Sequence, residues 1–140
     1  MKRMGIDYGS KHIGVALSDE GGRIAFPHSI LDRSKRSGLD IAVLAAKEGV
    51  AEIVIGESLD FFGKPNTIMT EIAKFAMELG EQTDLPIHFE KEFLTSHHAT
   101  PQKGKSGLNA RQTKLSERTP IDASAAALIL QRFLDRMNTK

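Results

Sequence analysis

The stretch Met4-Gly5-Ile6-Asp7-Tyr8-Gly9-Ser10-Lys11-His12-Ile13-Gly14-Val15-Ala16 decides how this chain is read. Two apolar runs, residues 3–8 and 13–18, flank the polar turn Gly9-Ser10-Lys11-His12, which predicts a β-hairpin. Asp7 lies inside the first run. A carboxylate there is costly to bury unless it is paired, hydrogen-bonded or metal-bound. The pleat turns Ile6 and Tyr8 to the face opposite Asp7. Gly9 lets the chain turn and lets a bulky ligand approach the backbone. Taken alone, Asp7 also fits a turn residue satisfied by nearby amides.

Outward from the hairpin, a third strand is expected near Arg23–Leu31, after Glu20-Gly21-Gly22, with Pro27 favouring an edge position. Leu39, Ala42, Val43 and Ala46 recur at helical spacing over 38–48. Ala51-Glu52-Ile53-Val54-Ile55-Gly56 reads as a buried parallel strand. A polar loop over 57–66 follows, then a helix over 67–82, a short strand over Pro86–Phe89 and a polar segment from Thr95 to Thr119. The last helix is expected from about Pro120 to Met137. The order is β-β-β-α-β-α-β-α. It implies an antiparallel three-strand meander extended by parallel strands through right-handed crossovers. The fold class is therefore α/β, one mixed sheet flanked by helices.

The length of 140 residues suits one domain spanning 1–140. Cysteine is absent, which excludes disulfides, thiol catalysis and Cys-based metal sites. No apolar run suits a membrane span or signal peptide, so a cytoplasmic protein is expected. The net charge of +1 is unevenly spread. Residues 48–92 carry ten acidic side chains against three basic ones, whereas 103–118 carry five basic residues against Glu117. A basic segment beside an acidic middle suits an anionic polymer gripped near a carboxylate centre, or a solvated surface.

The candidate centre is acidic. Asp122 stands near the start of the last helix, where Thr119-Pro120-Ile121-Asp122 also resembles a capping box. Glu92 lies just beyond the strand 86–89, with Glu90 its neighbour on the same face, and Glu57 ends the central strand. Solvated strand edges explain these acids equally well one at a time. If two or three of the acids converge, the chemistry without Cys points to a hard divalent ion, Mg²⁺ or Mn²⁺. The adjacent pair His97-His98 diverges along a strand or helix and is weak evidence for zinc.

The opening motif Met4–Ala16 and the tail Ile121-Asp122-Ala123-Ser124-Ala125-Ala126-Ala127-Leu128-Ile129-Leu130-Gln131 resemble the YqgF family of RNase H-like proteins. Glu52-Ile53-Val54-Ile55-Gly56, followed by Asp60 and Gly63, is a looser likeness. The family is described as Holliday-junction resolvases and as pre-16S ribosomal RNA processing nucleases. The resemblance implies an RNase H-like fold and a metal-dependent endonuclease with Asp7, Glu92 and Asp122 as catalytic, metal-binding acids. Lys11, Lys103, Lys105, Arg111 and Lys114 would then contact phosphates, and 95–119 would fold over the substrate. The implied partners are pre-rRNA or branched DNA and ribosomal particles, and the chain would act as a monomer or homodimer. Two motifs depart from the family. Lys91-Glu92-Phe93-Leu94-Thr95-Ser96 stands where it usually has Asp-Glu-Arg-Leu-Thr/Ser-Thr, so Phe93 removes a bidentate phosphate ligand. Gly56-Glu57-Ser58 replaces Gly-Leu-Pro and adds a negative charge. Asp7-Tyr8-Gly9-Ser10 also resembles the first phosphate loop of sugar-kinase, actin and Hsp70-type ATPases, but those folds need two such domains to enclose a nucleotide.

Overall fold

The computed structural model describes residues 1–59, 68–93 and 120–139. The elements follow the expected order: β1 (Arg3–Tyr8), β2 (His12–Ser18), β3 (Ala25–Asp32), α1 (Ser37–Glu48), β4 (Glu52–Leu59), α2 (Ile68–Gln82), β5 (Ile87–Phe93) and α3 (Pro120–Asn138). They build one five-stranded sheet in the order β3-β2-β1-β4-β5. The β1–β2 and β2–β3 pairs are antiparallel, and β1–β4 and β4–β5 are parallel. Pro27 does lie on an edge strand, where a residue without an N–H is best tolerated.

Alternation along β1 separates two cores. Met4 and Ile6 join Ile13, Val15, Leu17, Ile53 and Ile55 beneath α1 and α2, with Ile41, Ile72, Phe75 and Leu79 as the helical partners. On the other face, Ala16 and Val54 pack with Ala126, Ile129, Leu130, Phe133 and Leu134 of α3. Both faces of β4 are therefore covered, which is why Ile53-Val54-Ile55 reads as a continuous apolar run. α1 stops at Gly49, whose left-handed φ of 70° lets its N–H and that of Val50 turn back to the carbonyls of Ala46 and Ala45.

Two strands run further than their sequences suggest. β4 continues through Glu57-Ser58-Leu59 instead of yielding to a loop at 57, and β5 continues to Phe93 instead of ending at 89. The two extensions pair with each other, Glu57 with Lys91, Ser58 with Glu92 and Leu59 with Phe93. Backbone pairing thus carries polar residues whose composition reads as loop. Glu92 consequently belongs to the strand itself. The segment 95–119, including Lys103, Lys105, Arg111 and Lys114, lies outside the described residues, as do 60–67.

At the amino-terminal end of the parallel strands, Glu52 faces α3 and bridges β1 and β5. Its carboxylate accepts from Arg3 Nε at 3.1 Å and contacts His88 Nε2 at 2.5 Å. Burial would push the Glu52 carboxyl up, but the hydrogen bonds from His88 and Arg3 outweigh it and hold the group below its ordinary value of 4.5. A depressed folded-state value means this stability is present above the ordinary value and is lost as pH falls through the depressed one. Thermal melts from about pH 7 to 3 should therefore show wild type above Glu52→Gln at neutral pH, the gap closing only in acid. A gap independent of pH would show that the charge of Glu52 contributes nothing.

Candidate active site

Asp7 lies one residue from the end of β1, on the α3 face and directly opposite Gly14 of β2. The β1–β4 register, Ile6 against Ile55, continued by one residue brings Gly56 level with Asp7 on the other side. Gly56 in turn pairs with Glu90 of β5. Across the sheet, Asp7 is thus flanked by two positions with no side chain. Asp7 itself is half-buried on this face. Beside it the β1–β2 turn forms a cleft of about 300 Å³ lined by Asp7, Gly9, Ser10, Lys11 and His12. Lys11 is exposed at its rim.

α3 crosses this face in the direction opposite to β1. Phe133 lies near Arg3, with 5.7 Å from the guanidinium to the ring centre. Ala126 and Leu130 sit over Gly5 so closely that a Cβ there would be 2.8 Å from the Ala126 carbonyl oxygen. Position 122 is one turn ahead of Ala126 and so lies toward the Asp7 end. Position 92 follows Glu90 by one alternation on β5, opposite Ser58. The side chains of Glu92, Phe93 and Asp122 are outside the described part of the structure. β1, β5 and the first turn of α3 therefore supply the three predicted positions from one side of the sheet, near the carboxyl ends of the parallel strands. This is where open α/β sheets place their sites. Lys91 is exposed, and the alternation of β5 turns it to the face opposite Glu90.

Three features of this region go beyond the sequence reading. Glu90, which reads as a solvated edge residue, is buried, and Arg136 Nη2 lies 2.7 Å from its Oε1. Among the described residues that oxygen has no hydrogen-bond partner, so the contact is an ion pair without hydrogen-bond alignment. The pair ties β5 to α3 across a sequence distance no local pattern reveals. Arg33, just past β3, reaches back to the β1–β2 turn and stacks on Tyr8. Burial pushes the Tyr8 hydroxyl up, against the downward pull of the Arg33 guanidinium. The flanking glycines Gly14 and Gly56 did carry a signal, as glycines inside otherwise β-branched strands.

An antiparallel meander continued by parallel strands, with acids at their carboxyl ends and a helix closing one face, is the RNase H-like arrangement. The chain matches the family described as "RuvX: Holliday junction resolvase" over residues 1–136, and it belongs to that family of nucleases. A relative from Maridesulfovibrio salexigens, named "Putative pre-16S rRNA nuclease", is 33% identical over 97% of this chain and 99% of its own. A relative of the same name from Moorella thermoacetica is 36% identical over 98% of this chain and 96% of its own. Among solved structures, Thermus thermophilus RuvC in complex with a Holliday junction substrate aligns with a TM-score of 0.57 at 17% identity, covering 99% of this chain and 97% of that one. The fowlpox virus Holliday junction resolvase aligns with a TM-score of 0.54 at 12% identity, covering 97% and 99%. These two likenesses concern the fold. Among the described residues no helix is long and apolar enough to cross a membrane.

Proposed function

We propose that residues 1–140 form a single RNase H-like domain that acts as a cytoplasmic, metal-dependent endonuclease on structured nucleic acid. Its substrate is the 5′ region of pre-16S rRNA, met free or on a ribosomal particle, and the chain works as a monomer or homodimer. The observation that carries this reading is Asp7 near the end of β1, flanked by glycine positions and lining a cleft edged by Lys11. The full-length similarity to proteins named for pre-16S rRNA supports the choice of substrate.

The residues suit a hard cation. Asp7 offers oxygen donors between two positions that carry no side chain, and the chain has no cysteine to favour a softer metal. Asp7, Glu92 and Asp122 would hold Mg²⁺ or Mn²⁺, which when bound activates water and offsets charge on a phosphodiester. Lys11 would hold a substrate phosphate at the rim, and Lys103, Lys105, Arg111 and Lys114 would add further phosphate contacts without reading bases. Because these contacts are ionic, binding should weaken steeply with salt.

The test offers the purified protein a structured pre-16S 5′ RNA and a four-way DNA junction, with Mg²⁺, with Mn²⁺ and with chelator. Cleavage of the RNA that stops on chelation and returns with metal is the expected result. Cleavage of the junction alone would make the chain a DNA resolvase. Binding of either without cleavage would make it a nucleic-acid-binding protein on a nuclease fold, the outcome to which Phe93 and Glu57 point.

A further inference from the structure

The β1–β2 turn is held from outside itself. Within it, Gly9 N–H donates to the His12 carbonyl at 2.9 Å, while Ser10, Lys11 and His12 are exposed. Arg33 supplies further restraint. Its backbone N–H donates to the Lys11 carbonyl at 3.0 Å. Its Nη1 donates to the carbonyl oxygens of Gly9 at 3.2 Å and Ser10 at 2.8 Å. The rest of the guanidinium is fixed from behind. Nη2 donates to Glu71 in the first turn of α2 at 2.5 Å, and the group lies over the Tyr8 ring, 4.6 Å from its centre. Tyr8 is itself stacked on buried Phe75, with ring centres 4.7 Å apart. Three consecutive turn residues are thus fastened, through one side chain and one amide, to the core beneath α2.

We propose that Arg33 is a positioning residue for the nuclease: it fixes the turn so that Lys11 meets a substrate phosphate beside Asp7. This rests on the reading of Lys11 as a phosphate contact. A lysine is a point charge on a flexible stem, and the ordering of its backbone in advance is what makes its contact selective in direction. Arginine suits the task because its planar fork can bridge two carbonyls and a carboxylate while its face covers an aromatic ring. A lysine at position 33 cannot do this.

The experiment measures steady-state cleavage, and binding without metal, for Arg33→Ala, Arg33→Lys, Lys11→Ala and the Arg33→Ala/Lys11→Ala double variant. Hydrogen exchange at residues 9–12 is followed alongside. Arg33→Ala should raise KM about five- to tenfold with kcat within about twofold, and Lys11→Ala should match it. The double variant should be no worse than the weaker single one, since both remove the same contact. Arg33→Lys should restore little, and exchange at 9–12 should speed up while the interior of β1 stays protected. If Arg33→Ala folds poorly, Glu71→Gln, which slackens one anchor only, should shift KM in the same direction by about twofold. Additive effects of Arg33→Ala and Lys11→Ala, or a lower melting temperature with unchanged KM, would overturn the positioning role and leave the nuclease reading intact. Failure of the wild type to bind or cleave nucleic acid would overturn both.

Discussion

Asp7→Asn should lower phosphodiester cleavage by at least ~100-fold while leaving the fold and nucleic-acid binding nearly unchanged. The substitution keeps the shape of the side chain and removes its charge. On β1 Asp7 stands between the glycine positions 14 and 56 of its two neighbouring strands. The lost quantity is a hard, anionic oxygen donor, and an amide is a poor substitute for it. Single-turnover cleavage with Mg²⁺ and with Mn²⁺, beside a melting curve and a binding isotherm, checks the prediction. Cleavage within about threefold of wild type would remove Asp7 from the chemistry, since the loss of a metal ligand cannot be that mild.

Gly5→Ala should destabilise the protein and lower its cleavage. An added Cβ would lie 2.6 Å from the Leu130 Cβ and 2.8 Å from the Ala126 carbonyl oxygen. Neither neighbour is the flexible end of a side chain, so α3 as a whole has to lift from β1. Overpacking of this kind costs about 1–3 kcal/mol, and for a chain of this size each kcal/mol lowers the melting temperature by roughly 2–4 °C. The same displacement moves the helix that carries Asp122. Cleavage should therefore fall further than the loss of folded protein explains. A variant as stable and as active as wild type would show that the helix does not sit where the packing of Gly5 requires.

The fold was legible because its signals are local. The hairpin turn, the buried run Ile53-Val54-Ile55 and the helical spacing of Ile72, Phe75 and Leu79 each announce an element, and handedness restricts how the elements connect. The extensions of β4 and β5 were not legible. Glu57, Ser58 and Lys91 are polar, and they are strand only because each strand supplies the other's partners. In the candidate site, Asp7 could be found from its own strand. The burial of Glu90 depends on Arg136, and the fixing of the turn depends on Arg33 and Glu71. Such pairs are contacts between distant segments, and nothing in the local sequence marks them.

α3 is bolted at its far end. Gln131 accepts from Ala25 N–H at 2.9 Å and donates to the Arg23 carbonyl at 2.8 Å, and Asn138 donates to the Gly22 carbonyl at 3.0 Å. Position 122 lies roughly 13 Å up the axis from Gln131, at 1.5 Å per residue. A helix pinned this way is a lever, and a tilt of about 5° at the bolts sweeps its tip by roughly 1 Å. An amide contact to the strand at the opposite rim of the sheet thereby helps fix where position 122 stands.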